Sequence, residues 1–287
     1  MLIITGATGK LGRLVVQALL KRVPPAQIGV SVRDPEKARD LEERGVRVRR
    51  GDFSDAKSLT TAFEGASKVL IVSSNSSGNQ AVQQHRTAID AAKAASASHI
   101  FYTSHVGSSA TSPFDPMRDH AATESALRDS GVTFTSLRNG FYADSALLML
   151  GNALTKGQFA APEDGPVSWT THEDLAEATA KLLSEPTAES GMIDLTASEA
   201  LDLEAIASIA SELAGRDIRR LVVSDADYRA GIVSHGVPEA RADMMVGLFA
   251  ASRQGQFARV DPTLARLLGR PPTPFRDVLK TAISAPH

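Results

Sequence analysis

The first twelve residues constrain the fold more than any other stretch of the chain. Met1-Leu2-Ile3-Ile4 is a short apolar run that reads as a buried strand, and it passes directly into Thr5-Gly6-Ala7-Thr8-Gly9-Lys10-Leu11-Gly12. Helical periodicity follows at Leu14, Val15, Ala18 and Leu19. A strand, a glycine turn and a helix in that order form a cradle for phosphate groups. Gly6 permits a tight turn, Gly9 lets backbone approach a pyrophosphate without an intervening Cβ, and Gly12 lets the helix pack close to the strand. The helix N-terminus offers N–H groups and a partial positive charge. An ordinary glycine-rich βα turn is the competing reading, but it does not account for the strand before and the helix after.

Alternating strands and helices continue from there. Ile28-Gly29-Val30-Ser31-Val32, Val46 to Arg50, Lys68 to Val72, His99 to Ser104 and Val132 to Leu137 read as strands. The pattern predicts an α/β fold with a doubly wound, mainly parallel sheet. After residue 138 the alternation loosens. Helices are expected from about Trp169 to Leu183 and from Leu203 to Leu213, with strands at Gly191 to Leu195 and Arg219 to Val223. Residues 1–138, joined by 171–196, are expected to form the nucleotide-binding domain. Residues 139–170 and 197–287 are expected to form a smaller, mostly helical substrate-binding lobe.

Strand ends are where ligands sit in such sheets. Arg33 closes the second strand and can pair with the 2′-phosphate of NADP, whereas Asp34 beside it could instead face the ribose hydroxyls of NAD. At the end of the third strand, Asp52 can accept from an adenine amino group with Phe53 packed nearby, or it can cap a turn. Asp55 suits an N-cap for the helix that carries Leu59, Ala62 and Phe63. The polar loop Ser73-Ser74-Asn75-Ser76-Ser77-Gly78-Asn79 follows the fourth strand, where ribose and nicotinamide lie in doubly wound sheets. His85 reads as a helix-face residue, and His105 to Asp115 as an exposed loop.

A net charge of −2 with no long Lys/Arg block argues against nucleic acid or an anionic membrane as partner. The chain has no cysteine, which rules out disulfides and thiol nucleophiles and suits a reducing cytoplasm. No apolar run reaches ~18 residues, and the chain starts at once with the nucleotide strand, so a soluble cytoplasmic protein is expected.

The glycine motif, Val32-Arg33-Asp34-Pro35-Glu36-Lys37-Ala38, Gln84-His85-Arg86, Tyr102-Thr103-Ser104, His120-Ala121-Ala122-Thr123-Glu124 and Leu137-Arg138-Asn139-Gly140-Phe141-Tyr142 together resemble the NmrA-like atypical short-chain dehydrogenases. The resemblance runs almost end to end. It implies a Rossmann-type domain and an NADP(H) site formed by Gly6, Thr8, Gly9, Lys10, Leu11, Gly12, Arg33, Asp52, Phe53, Ser73, Ser74, Asn75, Tyr102, Thr103 and Asn139.

Carbonyl-reducing members of the wider group use Tyr-x-x-x-Lys on the helix after strand five, where i and i+4 share a face and the Lys lowers the Tyr pKa. Here those places resemble Ala121 and Ser125, so Ser104, which resembles the family's catalytic Ser, lacks those partners. Hydride transfer to a quinone or related conjugated acceptor, such as an azo or triphenylmethane dye, survives this loss because solvent can supply the proton. Alternative functions are a non-catalytic NADP-binding redox sensor and, less compatible with Ser125, an isoflavone-type reductase. His105, His120 and Tyr142 are candidates for side chains that assist. The partner is expected to be a small conjugated molecule and the chain a monomer or homodimer, with no metal.

Overall fold

The computed structural model describes residues 1–187 and 189–284; the last three residues of the expected substrate lobe lie outside them. The elements run β1 (Leu2–Thr5), α1 (Lys10–Leu19), β2 (Ile28–Val32), α2 (Arg39–Glu43), β3 (Arg47–Arg50), α3 (Ala56–Phe63), β4 (Lys68–Ile71), α4 (Gly78–Ala94), β5 (His99–His105), α5 (Asp115–Ser130) and β6 (Phe134–Asn139). They continue with β7 (Phe141–Tyr142), α6 (Ala143–Leu150), α7 (Ala153–Lys156), β8 (Gln158–Pro162), β9 (Trp169–Thr170), α8 (His172–Ser184) and β10 (Gly191–Leu195). The chain closes with α9 (Leu203–Ala214), β11 (Arg219–Val223), α10 (Asp225–Ser234), α11 (Glu239–Arg253), α12 (Thr263–Leu268) and α13 (Phe275–Ser284).

The chain forms two compact units. The first holds Met1–Ala110, Pro116–Asn139 and His172–Asp194, and the second Thr111–Asp115, Gly140–Thr171 and Leu195–His287. The first unit is built on a seven-stranded sheet in the order β3-β2-β1-β4-β5-β6-β10. Pairing is parallel from β3 across to β6. Strand order reverses between β1 and β4, the switch point at which doubly wound sheets open a crevice beyond the strand C-termini. On one face Ile3, Val69, Ile71, Ile100 and Tyr102 pack with Leu59 and Phe63 of α3, Ile89 of α4 and Leu127 of α5. Residues alternating with these along the strands, such as Ile4 and Leu70, are equally buried because a sheet covered on both faces has no wet side. Helix α1 packs against α8, whose residues are buried on most sides.

In the second unit β8 pairs in parallel with β11, and β7 with β9. The loosened periodicity after residue 138 hides β7 to β9: β7 and β9 have two residues each, and β8, Gln158-Phe159-Ala160-Ala161-Pro162, carries small residues and a Pro that give little strand signal. The structure therefore corrects the expected helix start: Trp169 and Thr170 are extended, and α8 begins at His172. Helix α5 starts at Asp115, the last residue of the expected loop, with Pro116 inside its first turn, where the missing N–H costs nothing. Among the described residues no helix is long and apolar enough to cross a membrane.

Candidate cofactor and active site

The three motif glycines occupy three different environments. Gly6 sits at φ +63°, the left-handed region that favours glycine. A Cβ on Gly12 would lie 2.4 Å from the Gly6 carbonyl oxygen, so α1 can approach the turn this closely only without a side chain there. A Cβ on Gly9 would meet only the Gly6 oxygen, at 3.4 Å, so the space above Gly9 is open. Gly9 is also the N-cap of α1, and no side chain caps this end, which leaves the positive pole of the helix facing that space.

The open space belongs to a cleft of about 670 Å³ along the ends of β1, β2, β3 and β4. Gly6, Thr8, Gly9, Arg33, Asp52, Phe53, Ser73, Ser74 and Asn75 line it. Six other predicted residues do not. Leu11 and Gly12 are packed beneath the turn, Tyr102 and Thr103 are buried behind the wall, and Asn139 is buried at the end of β6 opposite His105. Lys10 begins α1 outside the lining. Ser31, Ser54 and Gln80 line the cleft without having been singled out by sequence, and Gln84, quoted there only for the family resemblance, lines it as well.

Local hydrogen bonds explain how the wall is held. Asp34 accepts from the Glu36 N–H at 3.2 Å and so caps its own turn, while Arg33 is exposed at the cleft edge. Asp52 accepts from the Ser54 N–H at 2.9 Å, and its own N–H donates to Ser58 Oγ at 3.0 Å. Asp55 caps α3 by accepting from the Ser58 N–H at 3.1 Å. Along the polar loop, the Ser73 N–H donates to Thr103 Oγ1 at 2.9 Å and the Ser74 N–H to His85 Nε2 at 2.9 Å.

Buried polar atoms in this wall test whether a dinucleotide fits. Ser31 Oγ, Ser74 Oγ and Gln84 Oε1, all from the lining, are buried without a hydrogen-bond partner, as are both amide atoms of Asn139. Such groups are costly unless a ligand or water meets them. With a glycine cradle at a helix N-terminus and Arg33 at the rim, the donor set suits a dinucleotide.

At the end of β5 the structure reveals a network that sequence reasoning missed. Ser104 Oγ donates to Glu124 Oε1 at 2.8 Å, as does Ser136 Oγ at 2.8 Å, and Arg138 adds Nε to Oε1 at 2.9 Å and Nη2 to Oε2 at 2.7 Å. Burial alone would raise the Glu124 pKa, but the bonds from Arg138, Ser104 and Ser136 outweigh it and hold the carboxyl below its usual range. Tyr102 Oη lies 2.8 Å from His120 Nδ1, and the His105 ring stacks on His120 at 6.4 Å. His105 Nδ1 accepts from the Gly107 N–H at 3.0 Å, which places the proton of the neutral ring on Nε2. Desolvation lowers the pKa of His105 to about 3 and of His120 to about 4. Ala121 and Ser125 follow His120 on α5. Tyr142 belongs to β7 in the second unit.

The profile of the NmrA-like family matches residues 1–268. The chain belongs to the NmrA-like family. Quinone oxidoreductase 2 of Escherichia coli (strain K12) is 38% identical over 274 residues, covering 95% of each chain. Among solved structures, an NADPH-dependent quinone oxidoreductase from E. coli complexed with NADPH has a TM-score of 0.93 at 36% identity, covering 99% of this chain and 100% of that one. Citrobacter sp. triphenylmethane reductase complexed with NADP(H) has a TM-score of 0.90 at 33% identity, covering 98% and 100%.

Proposed function

We propose that the protein is an NADPH-dependent reductase that passes hydride to a quinone or a related conjugated acceptor such as an azo or triphenylmethane dye. One observation carries this reading: a cleft at the switch point, open above Gly9 and walled by buried polar atoms that lack partners, in a chain whose relatives include an NADPH-bound quinone oxidoreductase. NADPH, when bound, supplies a hydride from its nicotinamide.

The chain's own residues bind and orient. Gly6, Thr8, Gly9 and the first turn of α1, Lys10 to Gly12, hold the pyrophosphate, and Arg33 takes the 2′-phosphate. Asp52 and Phe53 face the adenine, while Ser73 to Asn75 run along the ribose and nicotinamide. Tyr102, Thr103 and Asn139 complete the nicotinamide end from behind. Asp34 accepts the Glu36 amide, which turns one of its carboxylate oxygens back toward its own turn.

Acid–base work by the protein is small in this reading. With pKa values near 3 and 4, His105 and His120 are about a thousandfold or more in favour of the neutral ring at pH 7. They serve as neutral hydrogen-bonding groups, and solvent delivers the proton. The second unit binds that acceptor, and the chain acts in the cytoplasm as a monomer or homodimer. A panel of quinones and dyes with NADPH oxidation as the readout tests the proposal. Turnover of any acceptor supports it, whereas tight NADP binding with no turnover of the panel supports a sensor.

A further inference from the structure

We propose that His85 is a positioning residue for the cofactor, fixing through its Nε2 the backbone of Ser74 and with it the polar loop that forms one wall of the cleft. The inference rests on reading that cleft as the NADPH site.

The hydrogen bonds around His85 have one consistent direction. Thr123 Oγ1 donates to the Asp119 carbonyl at 2.9 Å, so its hydroxyl proton is already used. Toward His85 Nδ1, 2.9 Å away, that oxygen therefore accepts, and Nδ1 carries the ring proton. Nε2 is left with a lone pair, and it receives the Ser74 N–H at 2.9 Å. The ring is 2% exposed and is held edge-on by Tyr102 at 5.3 Å and by Phe53 at 6.3 Å. Burial lowers its pKa to about 3, which keeps the accepting tautomer in place over the working pH range.

A histidine that only filled space would not need this arrangement. The segment from Ser73 to Gly78 leaves the sheet, and side chains take over its amides: Thr103 for Ser73, His85 for Ser74, and the Asp119 carboxylate for Gly78 at 2.7 Å. Two of these acceptors trace to one stretch of α5, because Asp119 binds Gly78 directly and, through Thr123, backs His85. The Ser74 hydroxyl, buried in the lining without a partner, is thus presented by a backbone that His85 pins. A loop held in its binding conformation beforehand loses less ordering entropy when the ligand arrives.

His85→Leu keeps apolar bulk and removes the acceptor, whereas His85→Gln retains an acceptor of similar reach. NADPH dissociation constants, melting temperatures, KM and kcat, and exchange of the Ser74 amide would be measured for both and for the wild type. His85→Leu is expected to weaken NADPH about tenfold, the scale of one lost hydrogen bond, raising KM for NADPH more than it lowers kcat and speeding Ser74 exchange. His85→Gln should restore most of the affinity. If His85→Leu does not fold, Thr123→Val loosens the same chain from behind and should shift affinity and exchange in the same direction. NADPH affinity within twofold of wild type in the folded variants overturns the positioning role. A wild type that binds no NADPH overturns the cofactor reading itself, and the proposal with it.

Discussion

Ser104 donates its hydroxyl to Glu124 Oε1 across 2.8 Å. The Ser that the family resemblance marks as catalytic is therefore bound into an ion pair between α5 and β6. With the Glu124 side chain 3% exposed and Arg138 22%, the pair is largely removed from water. Breaking such a pair leaves an uncompensated charge. Glu124→Ala is expected to destabilise the fold by about 3–5 kcal/mol, read as a loss in the denaturant midpoint at unchanged slope. A change below about 1 kcal/mol, the range of exposed pairs, would show that water already reaches the site.

Gly9 and Gly12 should separate binding from folding. Gly9→Val places new atoms in open space, so the protein should fold with a near-native melting temperature and fail to bind NADPH. Gly12→Ala drives a methyl to within 2.4 Å of the Gly6 carbonyl and should lower stability. Calorimetry beside a cofactor titration distinguishes the two, and a Gly9→Val protein that binds NADPH normally would contradict the cradle.

Four histidines predict acid sensitivity. His85 and His105 are lowered to about 3 and His99 and His120 to about 4, in each case first by desolvation. All four are neutral in the folded state and regain a pKa near 6.5 when unfolded. Their contribution is complete above that value and is lost as pH falls toward 3 to 4, because the unfolded chain then binds more protons. Stability should drop by about 1.4 kcal/mol per pH unit for each proton taken up. Denaturant midpoints between pH 7 and pH 4.5 check this, and a flat profile would contradict it. Turnover, by contrast, should show no ionisation of these rings between pH 5.5 and 8.

Cofactor choice should depend on Arg33. A charge-assisted contact to the 2′-phosphate contributes about 1.5–3 kcal/mol, so the wild type should favour NADPH over NADH by roughly ten- to a hundredfold. Arg33→Ala should erase the preference by weakening NADPH alone. Dissociation constants for both cofactors decide the matter, and equal or tighter NADH binding by the wild type would contradict the assignment and return attention to Asp34.

The sheet and the cleft were legible because their signals are local. Glycine spacing, apolar runs and strand ends placed Gly9, Arg33, Asp52 and Ser73 to Asn75, which the fold gathers around one space. What escaped is assembled from distant parts. The spacing of His120 and Glu124 put them on one helix face, but nothing in it tells that Glu124 meets Ser104 and Arg138, since that depends on the register of β5 against β6. His85 reads as an ordinary helix residue for the same reason, its partners being Ser74 and Thr123, 11 and 38 residues away. Strands β7 to β9 were missed because pairing, rather than periodicity, defines such short segments.

The most direct measurement follows the hydrogen itself. NADPH deuterated at C4 of the nicotinamide, in either configuration, would be incubated with the protein and a cationic triphenylmethane dye, with quinones run in parallel for turnover. Direct transfer predicts one non-exchangeable deuterium on the central carbon of the colourless product, from only one of the two labelled forms, with one NADP⁺ formed per dye. Reduced dye without label, or bound NADPH with no reduction of any dye or quinone, would contradict it.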